Sequence, residues 1–166
     1  MLAYVTGQLR EDIIMHTGRQ LVRELVFLKQ LPRSLLLHIW LKLRPVIFLE
    51  GDIIFKINSV GDCIYFIDKG TVAIYSESGK EICHLEDGDF FGEIALIMKH
   101  SVRTASVVAV TNCELLRLDR EEFNKSIACY PTVYETVRKV AIKRFEQMCV
   151  LDAHHKTEIT QSKQSG

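Results

Sequence analysis

The sequence has 166 residues, 48% hydrophobic and 25% charged, with 21 basic against 21 acidic side chains and no formal net charge. That length suits one domain with appendages, and the even balance excludes a whole-domain electrostatic grip on nucleic acid or acidic lipid, though not a local basic pocket. Apolar runs such as Leu35-Leu36-Leu37 fall far short of the roughly 18 residues of a membrane span.

Met1-Leu2-Ala3-Tyr4 leads into charged Arg10-Glu11-Asp12 and is not expected to be a secretory signal. The five cysteines are Cys63, Cys83, Cys113, Cys129 and Cys149, without a CxxC spacing. They argue against a disulfide framework or a zinc site, and read as buried or half-buried thiols in a reducing setting. Residues 8–44 read as helical. Leu9, Ile13 and Ile14 mark a segment over 8–17, Gly18 interrupts, and Leu21, Val22, Leu25 and Val26 recur at helical spacing over 19–27. After the break at Leu31-Pro32-Arg33-Ser34, Ser34 is expected to cap a helix over 35–43 that Pro45 ends. Trp40 is expected in the core.

Residues 46–119 change to short β-rich runs at 46–48, 53–55, 64–67, 71–75, 82–85, 105–110 and 114–118, and Phe90-Phe91-Gly92 ends a further strand. Turn clusters such as Glu50-Gly51-Asp52, Ser78-Gly79-Lys80 and Asp87-Gly88-Asp89 separate them. About eight strands at this spacing predict an antiparallel barrel or jelly roll. Helix then returns. Asp119 is expected to cap a short helix over 120–128, Tyr130-Pro131-Thr132 to break it, and a longer helix to run from Val133 to about Leu151. Its apolar face carries Val133, Val137, Val140, Ile142, Phe145 and Met148. Residues 152–166 read as a disordered polar tail, in which His154-His155 are expected to be solvated rather than metal-binding.

The stretch FFGEIALIMKHSVRTASV, residues 90–107, carries the chemistry. Glu93 to Met98 can form one helical turn with free backbone N–H groups at its start, which favour an anion. Arg103 can grip two phosphate oxygens in a fork, and Thr104 adds a hydroxyl. Glu93 would repel a bare phosphate. It is accommodated if the ligand also offers a sugar hydroxyl for it to accept, with Arg103 neutralising the phosphate and helping to keep Glu93 ionised. A ribose 2′-hydroxyl beside a cyclic 3′,5′-phosphate has that form. The other reading of the same residues is a plain Glu93–Arg103 salt bridge.

These residues resemble the phosphate-binding cassette of cyclic nucleotide-binding domains, whose pattern is about F-G-E-[LI]-[ASC]-L, a variable loop, then R-[TS]-A-x-[VI]. The likeness runs from about Gln8 to Leu151. QLREDIIMH and VAIKRFEQM resemble hyperpolarization-activated cation channels, and LKLRPVIFLEGDII resembles cyclic nucleotide-gated channels. The resemblance implies an α+β fold: an antiparallel, jelly-roll-like β-roll of about eight strands, N-terminal helices, a short cassette helix and two C-terminal helices. It implies the end of a C-linker and N-terminal helices over 1–44, a β-roll over 45–119 and lid helices over 120–151. It further implies a cytoplasmic sensor domain of a tetrameric membrane channel. The ligand would be cAMP in preference to cGMP, with no cofactor, no nucleic-acid polymer as partner and no enzymatic activity. The isolated fragment would be monomeric.

By position, Gly92, Glu93, Ile94 and Ala95 would line the ribose-phosphate, and Arg103 and Thr104 would bind the cyclic phosphate. Ile74, Cys83 and Leu85 would form the apolar floor and wall under the purine. Arg144 would reach the base, with Met148 one turn further on. The sequence departs from the pattern at Lys56-Ile57-Asn58-Ser59, where a glycine is usual and Asn58 must supply the left-handed turn. It also departs in a longer loop over 99–102, where Val102 replaces a frequent arginine, and at Cys83, where a larger apolar residue is common. The alternatives are a channel module insensitive to cyclic nucleotide, and the sensor domain of a membrane exchanger.

Overall fold

The computed structural model of the chain describes residues 31–98 and 102–165. The helical segments read at 8–30, and Lys99, His100 and Ser101 of the cassette loop, lie outside the described residues. In chain order the elements are α1 (Arg33–Lys42), β1 (Arg44–Phe48), β2 (Ile53–Phe55), β3 (Cys63–Lys69), β4 (Val72–Tyr75), β5 (Glu81–Leu85) and β6 (Phe90–Phe91). There follow α2 (Glu93–Ile97), β7 (Ser106–Ala109), β8 (Cys113–Asp119), α3 (Arg120–Lys125), a 3₁₀ turn (Ile127–Cys129) and α4 (Pro131–Gln164).

The eight strands form two antiparallel sheets, ordered β1-β8-β3-β6 and β2-β7-β4-β5, so the expected β-roll is present. Strand β3 explains how the layers assemble. Successive side chains on a strand point to opposite faces, and residues Cys63 to Ile67 are all buried. Ile64 and Phe66 pack with Leu116 and Leu118 of β8 against Trp40, Phe123, Val133 and Val137 from the helices. Cys63, Tyr65 and Ile67 point the other way, into the roll, and meet Val72, Phe91, Val107 and Leu115. A continuous apolar run is what a strand covered on both faces requires.

Helix boundaries differ from the sequence reading in three places. Helix α1 starts after Pro32, not Ser34. The Pro32 carbonyl accepts from the Leu35 and Leu36 amides at 3.0 Å each, and no side chain caps the helix. Asp119 precedes α3 but does not cap it. Its carboxylate is engaged by Arg44 at 2.7 and 2.8 Å and by Arg117 at 2.8 Å. The short helix also stops at Lys125 and gives way to the 3₁₀ turn, because Ser126 leaves helical geometry (φ −115°, ψ −86°).

The third difference is the largest. Pro131 opens α4 instead of breaking a helix, its fixed φ suiting the first turn, and α4 continues to Gln164. Residues 152–164, read as a disordered tail, are its last turns. The cysteines also differ from expectation. All five are free, but only Cys63 and Cys113 are buried, while Cys83, Cys129 and Cys149 are exposed.

The two-faced core makes a contrast that can be measured. Phe66 is fully buried, whereas Ile47 of edge strand β1 is 70% exposed. Phe66→Ala is expected to lower the unfolding free energy by about 3–5 kcal/mol and Ile47→Thr by less than about 0.5 kcal/mol, as read by urea denaturation.

Candidate ligand-binding cavity

The cassette is set by its backbone. Asn58 takes a φ of 70°, the left-handed conformation the sequence demanded of it. Its amide donates to the Arg103 carbonyl and the Arg103 amide donates to the Ser59 carbonyl, both at 2.8 Å. The turn after β2 therefore clamps the main chain of Arg103. Gly92, with φ 91°, ends β6 and starts α2. A Cβ there would meet Arg103 Nη1 at 2.8 Å and the Cys63 carbonyl at 3.1 Å, so only glycine lets the guanidinium lie against this turn. Gly61 plays the same part on the other side, since a Cβ would come within 2.2 Å of Ala95 Cβ. Arg120 closes the corner by donating to the carbonyls of Gly61 and Ala95.

Between the roll, α2 and α4 lies a cavity of about 620 Å³, a volume that suits a small-molecule site. Ten of the expected positions line it: Ile74, Cys83, Gly92, Glu93, Ile94, Ala95, Arg103, Thr104, Arg144 and Met148. Ile74 lies opposite Cys83 on β5 and opposite Val107 on β7, so that one row of three strands forms the wall. Leu85 does not line the cavity. It stands opposite Val72 and packs into the core of the roll, two residues along the strand from Cys83.

Arg103 is 3% exposed. Its Nη1 donates to the Gly92 carbonyl at 2.9 Å, and Nη2 donates to the Cys63 carbonyl at 2.9 Å and meets Cys63 Sγ at 3.3 Å. Its Cζ lies 4.0 Å from the centre of the Phe55 ring, a cation–π contact. All these acceptors are neutral, and burial pushes the Cys63 thiol further from ionisation. Burial lowers the pKa of Arg103 itself, as expected for a cation out of water. Its Nε is buried without a hydrogen-bond partner.

Glu93 is also buried, at 1% exposed. The reading of a plain Glu93–Arg103 salt bridge is corrected by its partner, since Arg144 Nη1 donates to Glu93 Oε1 at 3.0 Å. Arg144 further donates to the Phe90 carbonyl at 2.7 Å and sits over the Phe90 ring at 4.7 Å. The acid and Arg103 do border one cavity, but the ion pair joins α2 to α4.

The sequence reading missed other lining residues. Phe55, under Arg103, and Phe91, 5.8 Å from it between ring centres, both line the cavity, and nothing local to β2 marks Phe55 as a wall residue. Gln147 and Leu151 also line the cavity. They stand three and seven positions after Arg144, so the helical period could have found them. Among the described residues, no group of three or more His, Cys, Asp or Glu side chains could hold a metal ion. No helix there is long and apolar enough to cross a membrane.

Comparison with known proteins places this geometry. Over 148 residues the chain is 33% identical to potassium/sodium hyperpolarization-activated cyclic nucleotide-gated channel 2 of Mus musculus, and 36% identical to channel 1 of Oryctolagus cuniculus. These matches take in 89% of this chain but only 17% of each channel. Among solved structures, cAMP-bound PfPKA-R (141–441) superposes with a TM-score of 0.73 at 21% identity, covering 85% of this chain and 49% of that one. The regulatory domain of Toxoplasma gondii PKA with cAMP gives 0.71 at 23% identity, covering 82% and 51%. At such identities the structural likeness speaks for the fold alone. Residues 45–129, which include the roll from the second residue of β1, the cassette and α3, match the family model described as cyclic nucleotide-binding domain. With eight antiparallel strands and a cassette that turns Glu93 and Arg103 into one cavity, the chain belongs to the cyclic nucleotide-binding domain family.

Proposed function

We propose that this chain is a cyclic nucleotide sensor that binds cAMP in preference to cGMP between the roll and α4, and that it works by binding without reacting with its ligand. The observation that carries the reading is the Arg103 guanidinium, buried among neutral acceptors with Nε unpartnered, on the wall of an apolar cavity. A cation in that position is stabilised by an anion, and Thr104 beside it supplies a hydroxyl to a phosphate. The buried Glu93 suits the ribose hydroxyl, and the wall of Ile74, Cys83 and Val107 suits a purine face.

Met148, where cGMP-selective relatives carry an acid, favours adenine. A second reading has one observation in its favour. Glu146 also borders the cavity, and a carboxylate can accept from the N–H groups of guanine. In the full-length protein the domain would lie on the cytoplasmic side of a tetrameric channel. Closure of α4 over the ligand would bias the gate through the segment that precedes β1. Identity of 33–36% with channels over 148 residues supports that setting.

Calorimetric titration tests the assignment. cAMP is expected to bind tighter than cGMP, and Arg103→Ala to weaken cAMP at least about tenfold, or ~1.4 kcal/mol. Unchanged affinity in a variant that melts like wild type would remove the phosphate site. The role of Glu93 has its own test. 2′-Deoxy-cAMP should bind wild type several-fold more weakly than cAMP, while Glu93→Gln should discriminate less between the two. Equal discrimination by both proteins would place the ribose elsewhere.

A further inference from the structure

Helix α4 does not end at the cavity. Arg144, Gln147, Met148 and Leu151 border it, and the same face then carries Asp152, His155 and Lys156 onto the tip of the β4–β5 hairpin. There the Ser78 hydroxyl donates to Asp152 Oδ1 at 2.5 Å, and the Ser78 amide donates to the same oxygen at 3.1 Å. Ser78 Oγ is also within hydrogen-bond distance of His155 Nδ1, at 2.8 Å. Lys156 lies 3.1 Å from Asp152 and 3.4 Å from Glu77. The Asp152 side chain is only 14% exposed. Hydrogen bonds from the Ser76 and Ser78 hydroxyls hold its carboxyl well below the usual carboxylate range.

The hairpin tip is preorganised for this contact. The Ser76 amide donates to the Lys80 carbonyl at 2.8 Å, the Gly79 amide donates to the Ser76 carbonyl at 3.0 Å, and Gly79 has a φ of +85°. The helix end, in contrast, has little else to hold it. Of residues 152–164, all but Asp152, His155 and Ile159 are exposed, and so short a helical stretch is marginal in water without contacts.

We propose that the β4–β5 hairpin is a latch for the helix that roofs the cavity, with Ser78 as the keeper and Asp152 as the bolt, and that this latch slows the escape of bound ligand. The hairpin strands carry wall residues Ile74 and Cys83, and α4 carries roof residues Met148 and Leu151. The latch therefore joins wall to roof at the edge of the cavity, where Asp152 follows Leu151. Arg144–Glu93 pins the roof at one end and Asp152–Ser78 at the other, eight positions or about 12 Å of helix apart. Ser78, Asp152 and His155 do not line the cavity, so their part is positioning.

The retention half of this proposal rests on the sensor reading; the latch half does not. Amide hydrogen exchange of residues 152–164, measured on the protein alone, reads the latch directly. Asp152→Ala and, separately, Ser78→Ala should lose protection there, while the roll keeps its protection and so reports an intact fold. Stopped-flow dissociation of fluorescent cAMP should then be faster by about fivefold in each variant, within the reach of one charge-assisted hydrogen bond, with little change in association rate. The double variant should be no faster than the worse single one, because the two groups form one contact. Ser78→Thr, which keeps the hydroxyl, should restore the wild-type rate. Unchanged exchange would overturn the latch whatever the ligand does. Faster exchange with an unchanged dissociation rate would overturn its role in retention. If wild type binds neither cAMP nor cGMP, the sensor reading fails and retention falls with it, while the exchange result still decides the latch.

Discussion

The structure around the cavity depends on one constraint, a guanidinium buried without a salt-bridged acid among the described residues. Arg103 sits among two carbonyls, a thiol and an aromatic ring. Each of these is a good neighbour for a cation, and none neutralises it. Removing a charge from water is expensive unless an opposite charge meets it, so several features serve to hold the side chain in this place. Asn58 in its left-handed turn clamps the main chain. Gly92 and Gly61 clear the space on either side, where any Cβ would collide with Arg103 or Ala95. Phe55 offers the face of its ring.

The two buried ions of the site are handled differently. Glu93 has Arg144 as its partner, and that partner arrives from the roof, not from the cassette. One ion pair thus couples the state of the binding surface to the position of α4. On the proposed reading, a ligand hydroxyl that engages Glu93 would act on the same group that anchors the helix and so link ligand contacts to helix position. Beyond the cavity, the hairpin contact extends this linkage to the far end of the roof.

Much of this was legible in the order of the residues, for definable reasons. The strands announced themselves through short β-rich runs separated by turn residues. The cassette was legible because glycine, acid and arginine stand at a spacing few other sites use. Leu85 was misplaced for a simple geometric reason. It shares a strand face with Cys83, but the cavity ends before reaching it and the core of the roll begins. Asp119 was assigned to a helix cap from its position alone, whereas Arg44 of the neighbouring strand and Arg117 of its own strand claim its carboxylate.

What the sequence by itself determined were features decided among neighbours: the short β-rich runs with their turn residues, the left-handed turn at Asn58 and the glycine that leads into α2. What only the tertiary structure decided were partnerships across the chain. Glu93 finds Arg144 51 positions away, and Ser78 finds Asp152 74 positions away. Local propensity compares conformations of adjacent residues and carries no record of such contacts. Residues 152–164 are polar enough to read as a free tail and are nevertheless helical, because their inward face lands on a hairpin that the fold of the roll brings beneath them.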